Sequence, residues 1–161
     1  MLQTATDTKK ESQVLLSYLI FEVDNIFFNL RKADKLIRRE LNLLKQKKSC
    51  LLKQTLITPI NEGKLKVIIE NMPPQYLLMD EHIAYMLQDD DNSLFKLIRD
   101  YNSYLDIRNN EQEDNNYTGL IALDEKLVHH IRYLGAMTYH LNIHLNLLTV
   151  LLKNASIQEE P

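Results

Sequence analysis

The chain has 161 residues, a formal net charge of -3, 45% apolar residues and 25% charged residues. This length and balance are typical of one soluble globular domain and argue against intrinsic disorder. Only three glycines and four prolines occur, too few for the many turns of a sandwich, a barrel or a doubly wound sheet. The sequence therefore predicts an all-α protein.

The N-terminal part of the chain carries a long heptad repeat. Residues 1–10 are polar, and we expect them to form a disordered tail before a single domain over residues 11–154. From Glu11 to Thr55 there is no glycine or proline. Apolar residues recur there at every seventh position: Leu16, Val23, Leu30, Ile37, Leu44 and Leu51. This repeat predicts one helix on the order of 66 Å long.

The apolar stripe of this predicted helix is wider than one helix contact requires. Further apolar side chains flank it on both sides: Phe21, Phe28, Leu36, Leu43, Cys50 and Ile57. A helix with so broad an apolar arc usually contacts more than one neighbour, so we place it at the centre of a bundle. We expect Phe21, Phe28, Leu36 and Leu43 to form an interface.

The middle of the chain predicts shorter elements. After a break at residues 58–63, residues 64–71 fit a short helix, which we favour, or one arm of a small hairpin with residues 76–79. Asp80 is expected to cap a short helix over residues 81–88, and Ser93 a medium helix from Leu94 to about Arg108. We expect loops at residues 89–92 and 109–116.

A second long helix is predicted from about Thr118 to Asn154, followed by a frayed tail at residues 155–161. Its apolar face is assigned to eight residues: Leu123, Leu127, Ile131, Leu134, Leu141, Leu145, Leu148 and Leu152. Asp124 and Glu125 are expected on other faces. The predicted architecture is a bundle built on two long antiparallel helices, with one medium and one or two short helices. These cannot cover the whole stripe of the first helix, so we expect a homo-oligomer or another protein as partner.

Four histidines occur in the last predicted helix. His140 and His144 are four residues apart, the spacing at which two imidazoles on one helix reach the same metal ion, and His129 lies on the same face. A transition metal such as zinc would need a further ligand, either His82 or an acidic side chain of another helix. The interpretation that we favour leaves these histidines half-exposed beside the apolar stripe, with His130 turned nearer the core and hydrogen-bonded there.

Charge is segregated along the chain. Residues 31–53 hold nine basic and two acidic residues, whereas residues 70–125 hold thirteen acidic and three basic ones. A basic helical face can bind nucleic-acid phosphates. This interpretation assigns the contacts to six side chains: Arg31, Lys35, Arg38, Arg39, Lys45 and Lys48. In the simpler interpretation, which we favour, the acidic segments pack beside the basic helix or both are solvated faces.

The sequence contains no glycine-rich phosphate loop, no G-x-S-x-G and no E-x-x-H motif. Its single cysteine, Cys50, fits a reducing compartment, and its apolar runs are too short for a membrane span. We therefore expect a cytoplasmic, non-enzymatic protein that acts through protein–protein interaction, with self-association as the favoured mode. Metal binding and nucleic-acid binding are the two alternatives.

Overall fold

The computed structural model describes residues 2–46, 56–88, 93–111 and 117–158. These ranges contain no strand and six helices: α1 (Leu2–Lys45), α2 (Glu62–Asn71), α3 (Pro74–Leu77), α4 (Glu81–Leu87), α5 (Leu94–Asn110) and α6 (Tyr117–Gln158). The predicted all-α bundle with two long helices is confirmed. The hairpin alternative for residues 64–79 is wrong, because α2 and α3 occupy that segment. No helix in the described ranges is long and apolar enough to cross a membrane.

Both long helices extend beyond their predicted ends. α1 begins at Leu2, so the expected N-terminal tail is helical from residue 2, and α6 continues to Gln158 instead of fraying after Asn154. Neither extension contains glycine or proline, so no residue there interrupts the helical hydrogen bonds. The predicted continuation of the first helix from residue 47 to Thr55, which includes Cys50, lies outside the described residues.

Two of the shorter helices, α4 and α5, have the N-cap residues that the sequence predicted. Asp80 Oδ1 accepts hydrogen bonds from the backbone N–H groups of His82 (2.8 Å) and Ile83 (3.2 Å) at the start of α4. Ser93 Oγ accepts one from Lys96 (3.3 Å) in α5. Such caps satisfy N–H groups that have no partner within the first turn. The third short helix, α3, was not predicted, and it begins with Pro74 at a position that tolerates proline.

α1 and α6 pack as an antiparallel pair. Asn142 donates a hydrogen bond to Asp24, and Lys45 lies 3.4 Å from Glu125, so the end of one helix meets the beginning of the other. Buried residues follow alternating spacings of three and four in both helices: Ser12, Leu16, Leu19, Val23, Ile26, Leu30, Ala33, Ile37, Glu40 and Leu44, and Leu120, Asp124, Leu127, Ile131, Leu134, Thr138, Leu141, Leu145, Leu148 and Leu152. We call these residues the buried series.

The buried series corrects the predicted face of α6 at one end. Asp124 is fully buried, although the sequence placed it on another face, and Leu123 is only partly buried at the edge of the core. Asp124 precedes Ile131 by seven residues and therefore shares its face, whereas Leu123 is turned away by about 100°. A carboxyl group thus occupies a position at which the helical period predicts an apolar residue.

Two asparagines of α5 hold the non-helical residues 56–61, which precede α2. The side-chain amide of Asn102 forms two hydrogen bonds with the backbone of Ile60 (2.9 and 2.8 Å), and Asn109 forms two with Ile57 (3.4 and 2.9 Å). These bonds satisfy backbone groups of a non-helical segment that lies partly buried. Ile57, predicted to widen the stripe of the first helix, belongs to this segment instead and is buried there.

Candidate functional site

α6 carries apolar side chains on a second face, which is exposed to solvent. Six residues with alternating spacings of three and four form this face, which we call the outer stripe: Tyr133, Ala136, His140, Ile143, Leu147 and Val150. At about 100° per residue, the outer stripe lies roughly opposite the buried series. Its four large apolar members are between 42% and 55% exposed, and it contains no Lys, Arg, Asp or Glu. Such an outward repeat is typical of a helix-binding surface.

A groove of about 520 Å³ lies beside the outer stripe, between α4 and α6. We call it the histidine groove, and eight residues line it: His82, Tyr85, Met86, Tyr133, Ala136, Met137, His140 and His144. Three of them, Tyr133, Ala136 and His140, also belong to the outer stripe. The groove and the stripe are therefore one continuous surface, apolar and aromatic, with imidazoles along one edge.

One imidazole of the histidine groove is fixed in orientation. His144 Nδ1 lies 2.8 Å from Asp80 Oδ2, and the ring of His144 stacks on that of His82 with centroids 4.5 Å apart. Partial burial of Asp80 acts to raise its pKa, but the hydrogen bonds from His144 and from the amides of Ile83 and His82 outweigh this and hold the pKa below its usual value. A carboxylate that holds Nδ1 leaves Nε2 as the nitrogen that a ligand or metal would meet.

The structure brings together only part of the predicted metal-ligand set. His140 and His144 line one groove, and His82 joins them there, as the sequence proposed. His129 precedes His140 by eleven residues, about 16 Å along a helix, so both cannot bind one ion. Within the described residues, no three His, Cys, Asp or Glu side chains are grouped as a metal site requires.

His130 faces the neighbouring helix α5. Its ring lies 5.0 Å from that of Tyr104 and is half-buried. Burial lowers the pKa of His130, and the carboxylate of Asp100 only partly offsets this. Within this fold, the imidazole of His130 packs against Tyr104 of α5.

The four predicted interface residues divide into two pairs. Phe21 and Phe28 are 62% and 58% exposed, whereas Leu36 and Leu43 are half-buried and pack against core residues. Leu36 and Leu43 therefore offer a partner less exposed surface than the two phenylalanines do, and the interface itself stays a prediction. Phe21 lines a groove of about 560 Å³ between α1 and α2, and the ammonium of Lys32 lies 4.7 Å from the ring centre of Phe28.

The predicted nucleic-acid contacts are spread over the basic half of α1. Arg31, Lys35 and Arg38 line a groove of about 300 Å³ that Arg132 of α6 also lines. Arg38 donates to both carboxylate oxygens of Asp34 at 2.9 and 3.0 Å, which reduces its availability to phosphate. Two of the remaining residues lie in the described part of the chain: Arg39 is exposed, and Lys45 is paired with Glu125. Lys48 lies outside the described residues.

A buried charge cluster, formed by Glu40, Arg108 and Asp124, joins α1, α5 and α6. Arg108 donates from Nη2 to Glu40 Oε2 at 2.6 Å and from Nε to Glu40 Oε1 at 3.3 Å. Both carboxylate oxygens of Asp124 are buried, and Glu40 is the carboxylate that acts on them. Burial and the nearby Glu40 raise the pKa of Asp124 to about 9, although Arg108 acts in the opposite direction. Asp124 is therefore protonated at neutral pH, while Glu40 is paired with Arg108.

The sequence held a signal for this cluster that the predictions did not use. Glu40 continues the seven-residue series of Leu19, Ile26 and Ala33, and Arg108 continues the face of Tyr101 and Leu105. A charged residue at a position predicted to be buried is rarely tolerated without a partner. Opposite charges at two such positions therefore predict contact.

Comparison of the chain with protein-family models, with curated proteins and with solved structures gives no match. Its function is therefore inferred from the residues and surfaces described above.

Proposed function

We propose that this chain is a non-enzymatic interaction protein that associates with itself through the outer stripe of α6. The observation that carries this proposal is the outward repeat from Tyr133 to Val150, which is exposed, contains no Lys, Arg, Asp or Glu, and is apolar apart from His140. A helix with apolar residues on two opposite faces is expected to have both faces covered. The single cysteine supports a reducing compartment, and we place the protein in the cytoplasm.

The size of the outer stripe predicts the strength of the association. Burying one large aliphatic side chain completely stabilises by about 1.5–3 kcal/mol, and each large member of the stripe is already about half-covered. Four such side chains from each of two copies therefore contribute roughly 8 kcal/mol by that measure. Because this gain is comparable with the estimated 4–15 kcal/mol lost on association, we expect a reversible, concentration-dependent dimer.

Replacing Leu147 with glutamate is expected to abolish this association, because the charge would have to be buried within the C-terminal half of the outer stripe. Ile107 of α5 provides the matched control, since its exposure of 54% is close to that of Leu147 at 53% but it lies outside the stripe. Sedimentation velocity over a concentration series, with unfolding curves to show that each variant is folded, measures the effect.

A different dissociation pattern would contradict the use of α6. Loss of association in Ile107→Glu but not in Leu147→Glu would assign the contact to α5. Loss in Phe21→Glu alone would assign it to α1, where Phe21 and Phe28 are the exposed residues that the sequence nominated. The proposal would be wrong if the wild-type protein stayed monomeric at high concentration and a pull-down with it recovered no partner.

The histidine groove favours metal binding as a second candidate function, because His82, His140 and His144 line it together. Here His82 replaces His129 of the predicted set. The side chains would have to rotate to bring three nitrogens to one ion, and Asp80 would act as the carboxylate that orients His144. Zinc is the metal that best suits imidazole ligands in this number.

This second candidate predicts that zinc raises the melting temperature of the protein, since a ligand that binds only the folded state stabilises it. The rise is expected to disappear in His144→Ala and to persist in His129→Ala, whose imidazole lies too far along α6 to take part. Differential scanning fluorimetry with zinc and then with a chelator measures both. An equal rise in the two variants, or no rise in the wild type, would exclude the site.

Nucleic-acid binding through the basic half of α1 has less support than either. The convergence of Arg31, Lys35, Arg38 and Arg132 on one groove favours it. The pairing of Arg38 with Asp34 and of Lys45 with Glu125 counts against it, because phosphate would have to compete with these carboxylates.

A further inference from the structure

We infer that the partner of the outer stripe is the α6 helix of a second copy, packed antiparallel, with Leu147 of each copy inserted into the histidine groove of the other beside Ala136. This inference rests on the proposed function and gives the contact a register. Two observations on the outer stripe carry it: the distribution of large and small residues along the stripe, and the position of the groove relative to them.

The large aliphatic side chains of the outer stripe lie at its C-terminal end, and the groove beside Ala136 lies at its N-terminal end. Ile143, Leu147 and Val150 project from the C-terminal half and are 42–53% exposed. Ala136 lies in the N-terminal half, where it is the smallest residue lining the groove of about 520 Å³. The projecting side chains and the recess lie on the same helix face, with Leu147 eleven residues after Ala136. The side chain of each copy can enter the recess of the other only when the two copies run in opposite directions.

One antiparallel register pairs every member of the stripe. With the two-fold axis between His140 and Ile143, these two residues face each other across the contact. The same register sets Ala136 opposite Leu147, and Tyr133 opposite Val150. Each large aliphatic side chain then meets a small or aromatic one, which is the arrangement that packs without voids.

A parallel pairing is less favourable by the same geometry. It would set Ala136 against Ala136 and leave both grooves empty, while His140 would face a second His140. Because the stripe holds no Lys, Arg, Asp or Glu, no ion pair between the stripes of two copies would compensate. Packing alone therefore selects the antiparallel direction.

The groove also supplies the walls that a recess for leucine needs. Tyr133 and His140 lie one turn before and after Ala136 on α6, and Tyr85 and Met86 of α4 close the other side. Asp80 and His144 hold α4 against α6 at 2.8 Å, so the recess is built by the fold and does not depend on the partner. Aromatic walls around a small residue are typical of the centre of a protein interface.

Disulfide trapping tests the register. Cys50 is first replaced by alanine, and single cysteines are then introduced as Ala136→Cys in one chain and Leu147→Cys in another. We expect a cross-link when the two variants are mixed under mild oxidation and none within either variant alone. In this register, position 136 of one copy lies about 16 Å along the helix axis from position 136 of the other, and the same holds for position 147. This separation exceeds the roughly 7 Å between Cα atoms that a disulfide spans.

Each outcome decides between the register and the proposed function. Cross-linking of each variant with itself would show a parallel pair and overturn the inference. A dimer in sedimentation without any cross-link would place the contact elsewhere, overturning the inference while self-association stands. A wild-type protein that is monomeric at all concentrations would overturn both the register and the proposed self-association. Circular dichroism melting curves of the cysteine variants show that the exposed replacements leave the fold intact.

A size exchange tests the recess by a second route. Leu147→Ala and Ala136→Leu are each expected to raise the dissociation constant of the dimer by about tenfold or more, the first by emptying the recess and the second by filling it. The double variant exchanges the large and small residues and is expected to recover at least part of the loss. Additive losses in the double variant would overturn the contact between these two positions.

Discussion

Replacing Arg108 with methionine is expected to lower the free energy of unfolding by about 3–5 kcal/mol at neutral pH. Methionine retains most of the side-chain length but removes the guanidinium, so Glu40 loses a partner at 2.6 Å while remaining only 1% exposed. A buried carboxylate without a partner has lost its hydration, and no hydrogen bond or ion pair within the protein offsets that desolvation cost. Denaturant unfolding monitored by circular dichroism measures the difference.

Arg38 provides the control for this prediction. It also pairs with a carboxylate, Asp34, but on the surface and within one helix, where such pairs contribute about 0.3–0.5 kcal/mol. We therefore expect Arg38→Met to be nearly neutral. If Arg108→Met changed the free energy of unfolding no more than Arg38→Met does, the buried pair would contribute no more than a solvated one, contrary to its burial.

Replacing Asp124 with asparagine is expected to stabilise the protein, and increasingly so as the pH rises. Asparagine has the shape of the protonated carboxyl group and cannot ionise. In the wild type, burial and Glu40 raise the pKa of Asp124 to about 9 in the folded state, whereas an unfolded aspartate has a pKa of about 3.9.

The sign of the pH effect follows from this difference. Between these two pKa values the folded chain retains a proton that the unfolded chain has released, so stability decreases as the pH rises through that range. The decrease is at most about 1.4 kcal/mol per pH unit. It is absent in Asp124→Asn, so we expect the variant to exceed the wild type by more than about 1 kcal/mol at pH 8.

Unfolding free energies from pH 5 to pH 9 test this expectation. Glu40→Gln is the companion variant, and it is expected to act in the opposite direction, because it removes the charge that pairs with the buried Arg108. Parallel stability curves for the wild type and Asp124→Asn would show that Asp124 is already ionised in the folded protein. The raised pKa, and with it the assignment of the proton in the cluster, would then be wrong.

The candidate surface was only partly predictable. The spacing of His140 and His144 predicted that they share a site, and the structure places both in one groove with His82. Spacing along one helix carries no information about the direction from which α4 approaches, so the stack of His82 on His144 and the bond from Asp80 were not predictable. The same holds for Arg132, which reaches the basic groove from another helix.

The interface prediction was limited by the same missing information. A broad apolar arc on the first helix indicates that several neighbours are needed, but not which side chains the chain itself will cover. α6 and the non-helical segment at residues 56–61 provide part of that cover, leaving Leu36 and Leu43 half-buried and Phe21 and Phe28 exposed. The outer stripe of α6 was not predicted, because the helical period alone does not tell which of two apolar faces on one helix the rest of the fold covers.

Local sequence alone determined the helical class, the two long rods, and the caps at Asp80 and Ser93, because periodicity and capping act between residues close together in the chain. Tertiary packing decided the rest. It decided that Glu40, Arg108 and Asp124 meet in the core, since a charge is buried only where distant helices bring it a partner. It also decided which apolar faces remain in water, because exposure depends on what the other helices fail to cover.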